Sequence, residues 1–64
     1  MINKDIRVLM VENEVTGRAL ARHLGYSEQY VSMLLRMDLT KEKHTQLVNG
    51  IKELGKEKKH GRRG

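Results

Sequence analysis

Between Leu24 and Val31 the chain has room for one tight turn, and Gly25 decides its kind. Leu20, Ala21 and Leu24 precede it at helical spacing, and Val31, Leu34 and Leu35 follow it in the same way. Apolar residues so spaced mark one side of a helix. A glycine just past the last buried residue of a helix lets the backbone turn left-handed without a steric penalty. Thr16 and Ser27 stand where a side-chain oxygen accepts from the free N–H groups of a helix start, and Glu28 suits the positive end of a helix dipole. The pattern predicts a helix of about two turns from Thr16, a turn through Gly25, Tyr26 and Ser27, and a second helix to Leu35.

The flanks read as helices too. Ile6, Leu9 and Met10, with Ile2 one turn earlier, form an apolar stripe, while Lys4, Arg7 and Glu14 fall away from it. Asn3 is the expected cap of this helix, with Asp5 in its first turn, and Asn13 is the expected terminator. After Arg36, Leu39 is expected to plug the core from a loop. Thr40 caps a last helix carrying Leu47, Val48, Ile51 and Leu54. His44 falls one turn before Leu47 as a core-edge residue, and His23 faces outward. Gly50, which disfavours a helix interior by about 1 kcal/mol against alanine, suggests a close approach to the first helix or to a second subunit. Gly55 is the expected stop. Beyond it, GKEKKHGRRG holds no apolar residue to offset its ordering entropy, so 56–64 is expected to be a disordered basic tail.

These elements give an all-α, compact four-helix domain over 1–55, with its helix-turn-helix core at 16–36. A chain of 64 residues is small enough that association or close helix packing has to support it. It has no cysteine, so neither a disulfide nor a thiolate zinc site is available, and its three histidines lack ligand spacing. No cofactor is expected. No apolar run approaches the roughly 20 residues of a membrane span, and the N-terminus lacks the apolar core of a secretory signal. These features predict a soluble, cytoplasmic protein. The net charge is +5, and +4 of it falls in 56–64. A basic balance suits an anionic partner such as nucleic acid, or simply a solubilising end.

Ala21, Gly25, Ser27, Val31, Ser32 and Leu34 spell A-x-x-x-G-x-S-x-x-x-V-S-x-L. In this the chain resembles the lambda-repressor-like helix-turn-helix family of phage Cro and repressor type, closely over Thr16 to Arg36 and in helix order over 1–54. The resemblance implies a second helix lying in the DNA major groove. Base edges would be met by Glu28, Gln29, Ser32 and Met33. Gln29 is suited to adenine, Glu28 to cytosine N4 or else only to the helix dipole, and Met33 to a thymine methyl. Phosphate contacts are expected from Arg18, Arg22, Ser27, Tyr30, Arg36, Thr40, Lys41 and Lys43. For the two arginines the alternative is a solvated face, and for Tyr30 a cover over the core edge. Gly17 stands where the family often has a phosphate-clamping glutamine, and no residues remain for the fifth helix of many members.

The resemblance further implies a homodimer on a pseudo-palindromic operator, with half-sites about one helical turn apart. It suggests a small phage or mobile-element repressor in a bacterial cell (at the nucleoid), without a separate sensing domain. An enzyme is not expected, because no nucleophile–base pair, acidic pair or phosphate loop is present, and no small-molecule ligand is expected. RNA binding is disfavoured by the shortage of aromatics. The competing reading is a protein-binding adaptor or inhibitor that grips through Tyr30, Met33 and Met37.

Overall fold

The apolar stripes fold as four helices, and the computed structural model describes residues 2–62, with side chains from 2 to 57. They are α1 (Lys4–Glu12), α2 (Gly17–Leu24), α3 (Glu28–Leu34) and α4 (Lys41–Arg62), and no strand occurs among the described residues. One core forms where the stripes meet. Ile6, Leu20, Val31, Leu47 and Ile51 are fully enclosed, joined by Met10, Val15, Ala21 and Leu35. Each large side chain so buried contributes about 1.5–3 kcal/mol. Leu39 packs partly buried against this cluster from the α3–α4 loop. No helix among the described residues is long and apolar enough to cross a membrane.

The helix ends follow the local chemistry. Thr16 accepts from the Ala19 N–H at 3.1 Å, Ser27 from the Tyr30 N–H at 3.1 Å, and Thr40 from the Lys43 N–H at 3.2 Å. Gly25 has φ +78°, and the bonds Tyr26 N–H to Ala21 O and Gly25 N–H to Arg22 O close the end of α2. That pair of bonds is the Schellman arrangement, which satisfies carbonyls the helix leaves free. Asn13 ends α1 and donates its side-chain N–H back to Leu9 O.

Several expectations are corrected. Asn3 makes no side-chain cap on α1; it adopts the left-handed region at φ 58° and points away. Its Nδ2 donates to Met37 O at 2.7 Å, Leu35 O at 3.0 Å and Leu34 O at 3.4 Å, so it serves the carbonyl end of α3. Arg7 turns in beside it, with Nη2 3.4 Å from Leu35 O. Ile2 is 44% exposed and does not extend the α1 stripe. Gly50 approaches α2, not α1, since a Cβ there would lie 3.1 Å from Leu20 Cδ1 and 3.2 Å from Leu24 Cδ2. His23, though it lies on an outward surface, is not idle: its Nε2 is 2.7 Å from Glu53 Oε1, tying α2 to α4.

Gly55 does not stop α4, and the backbone stays helical through Arg62, in place of the expected disordered tail. Extending a formed helix adds one hydrogen bond per residue without a new nucleus, and lysines tolerate the helix well. Gly55 is buried against Asn13, and any Cβ at that position would strike the Asn13 side chain. Its reason for being glycine is contact. Residues 63 and 64 lie outside the described part.

Candidate functional site

α3 is a short helix of seven residues held from behind. Val31 is fully buried and Leu34 nearly so. At about 100° per residue these fall on one side, which leaves Glu28, Gln29, Ser32 and Met33 together on the other. All four are exposed, as predicted for the outward face. Their positions are set by three independent ties. The Ser27 cap fixes the start of the helix, the core fixes its rotation, and Asn3 with Arg7 fixes its carbonyl end.

A fourth tie joins the α2–α3 turn to α4. Lys43 Nζ donates to Tyr26 Oη at 2.8 Å and to Gln46 Oε1 at 3.0 Å, and Tyr26 Oη donates to the same Gln46 oxygen at 3.1 Å. The ammonium lies 4.9 Å from the Tyr26 ring centre, and the ring meets Tyr30 edge-on at 4.8 Å. The Lys43 bond holds the Tyr26 hydroxyl below the ordinary tyrosine range, aided by Gln46, and pushes Lys43 up in turn. This cluster locks the turn that launches α3.

The expected phosphate-contacting residues divide accordingly. Arg18, Arg22, Arg36 and Lys41 are exposed cations. Ser27 and Thr40 are exposed, but their hydroxyls already accept cap bonds. Tyr30 is half-buried, its ring edge-on to that of Tyr26. Lys43 is spent on Tyr26 and Gln46, so its role here is to brace the turn. The bracing residues Asn3, Arg7, Tyr26 and Gln46 carry no sequence signal of that role, because each acts on a partner 20 or more positions away.

Arg18 and Arg22 share a shallow surface hollow with Thr16 and His23, open to solvent. Among the described residues no group of His, Cys, Asp or Glu is placed to hold a metal ion. In comparisons with known families, curated proteins and solved structures, nothing matches the chain.

Proposed function

We propose that this protein binds double-stranded DNA in a sequence-specific way and regulates transcription, presenting α3 to the major groove. The observation that carries this reading is the outward face of α3: four adjacent exposed side chains able to meet base edges, on a helix immobilised at both ends. A reading helix needs that rigidity, because bidentate contacts tolerate little misplacement. Gln29 is the adenine reader, Ser32 serves a base or a phosphate, and Met33 covers a thymine methyl. Arg18, Arg22, Arg36 and Lys41 supply the contacts to phosphate. A homodimer on a two-fold operator doubles a modest set of cations. A small phage or mobile-element repressor in the bacterial cytoplasm is the role that best suits the resemblance to the Cro and repressor family.

The test is selection of bound duplexes from a random pool by the full chain, followed by titration of the enriched site. Gln29→Ala should lower discrimination at one base pair by about 1–3 kcal/mol while leaving non-specific binding in place. Arg18→Gln with Arg22→Gln should weaken all duplexes alike and flatten the dependence of log K on log salt by about 0.9 for each phosphate no longer neutralised. A selection that enriches nothing, or a salt slope near zero, rejects the reading. A protein-binding adaptor is the second reading, favoured by Met33 and Met37, which are 46% and 44% exposed. It predicts that Met33→Ala abolishes function and that the arginine changes do not.

A further inference from the structure

One helix carries an apolar face that nothing among the described residues covers. Ile6 and Met10 turn α1 toward the core, and Asp5 meets His44 of α4. The opposite side holds Lys4, Val8 and Val11 at i, i+4 and i+7, with Glu12 beside them. Val8 is 44% and Val11 78% exposed. These residues line a shallow apolar hollow that Arg7 flanks. Its two ends are charged with opposite sign, and neither charge belongs to the ion pairs His23–Glu53 and His44–Asp5.

Both end charges oppose their own helix. Lys4 stands in the first turn, where the dipole favours an acid, and Glu12 stands in the last turn, where it favours a base. A departure from a local rule invites a compensating partner. α1 spans nine residues, and Val8 is its midpoint. A two-fold axis through Val8 therefore sets Lys4 of each copy opposite Glu12 of the other, with Val8 against Val8 between them and Val11 of each copy beside Asp5 of the other. A parallel pairing would set lysine on lysine and glutamate on glutamate. The face is complementary to itself in one orientation only, as an isologous contact requires.

We propose that the outward face of α1 seats a second copy of this chain, antiparallel, with reciprocal Lys4–Glu12 pairs around a central contact of Val8 with Val8. The contact is about 13 Å long at 1.5 Å per residue, so it belongs with small, weak interfaces. It leaves Glu28, Gln29, Ser32 and Met33 uncovered. Because Asn3 and Arg7 grip the carbonyl end of α3, pairing two α1 helices also fixes how the two α3 helices stand to each other. The proposal deepens the homodimer of the DNA-binding reading and rests on that reading for its biological use, but self-association is measured without DNA.

Sedimentation equilibrium of the full chain, from about 10 μM to about 1 mM at low salt, reads it directly. Wild type should dimerise reversibly. Val8→Asp and Lys4→Glu should each weaken dimerisation at least about tenfold. The Lys4→Glu and Glu12→Lys chains should each associate poorly alone, yet form a heterodimer when mixed, within about threefold of wild-type affinity. Each swap places a charge that its own helix dipole prefers, so loss of association cannot be traced to a lost helix, and helicity by circular dichroism checks this. A wild-type chain that stays monomeric throughout, swaps without effect, or mixed chains that associate no better than either alone overturns the proposal. A chain that dimerises in this way but selects no duplex overturns the DNA reading and not this one.

Discussion

At the scale of single residues, α3 depends on side chains that are not on it as well as on its own buried Val31 and Leu34. Asn3 holds a left-handed backbone and reaches three carbonyls at the end of α3 with one amide. Replacement separates its two contributions. Asn3→Gly loses the hydrogen bonds but suits the backbone, whereas Asn3→Ala loses the bonds and adds left-handed strain of about 1–2 kcal/mol. Asn3→Asp faces carbonyl oxygens with a carboxylate that can only accept. Chemical denaturation should rank stability Asn, Gly, Ala, Asp, with the first step about 1 kcal/mol; alanine at least as stable as glycine would contradict the backbone account. Asp5 predicts a pH effect. The hydrogen bond from His44 holds its carboxyl below the ordinary 3.8, so the folded state prefers the carboxylate. Its contribution is present above that ordinary value and lost as pH falls through the lowered one. The melting temperature should drop through that acid window, and Asp5→Asn should make the drop shallower.

At the scale of elements, the starts of α2, α3 and α4 and the turn at Gly25 are legible in the sequence because each is written within four or five residues. Thr16, Ser27 and Thr40 cap where side-chain chemistry says they should, and Gly25 takes the positive φ that its position demands. The outward face of α3 is legible for the same reason, since periodicity alone separates Gln29 and Ser32 from Val31 and Leu34. What stays hidden joins distant parts of the chain: Asn3 on α3, His23 on Glu53, Lys43 on Tyr26 and Asn13 under Gly55. Gly55 shows the ambiguity plainly, because a glycine ends a helix or admits a neighbour and local sequence does not say which. The contact reading has a test in a double-mutant cycle. Gly55→Ala improves helix propensity by about 1 kcal/mol, yet its methyl displaces an Asn13 side chain bonded to Leu9 O. The substitution should destabilise the native background by about 1–2 kcal/mol and cost clearly less in an Asn13→Ala background, where the struck atoms are gone. Equal costs in both backgrounds would return Gly55 to the role of a failed stop signal.

At the scale of the whole molecule, a core built around a handful of enclosed side chains leaves little reserve, as small domains generally do. Any partner that binds only the folded form then becomes part of the stability. If α1 pairs with its copy, the melting temperature must depend on chain concentration even with no DNA present. A chain at about ten times its dissociation constant gains about 1.4 kcal/mol by mass action. For a domain of this size each 1 kcal/mol moves the midpoint by about 4–8 °C, so the rise is readily measured. Calorimetry over a concentration series should show the midpoint climbing for wild type and staying level for Lys4→Glu, which keeps the core untouched because Lys4 is exposed. The mixture of Lys4→Glu and Glu12→Lys chains should recover the climb. Operator duplex should raise the midpoint again, and its increment should shrink with added salt as phosphate contacts are screened. Concentration and salt should thus move the same observable through two different faces of the molecule. On the proposed readings α1 governs the first and α3 with its flanking arginines the second, so each face is tested while the other is held still.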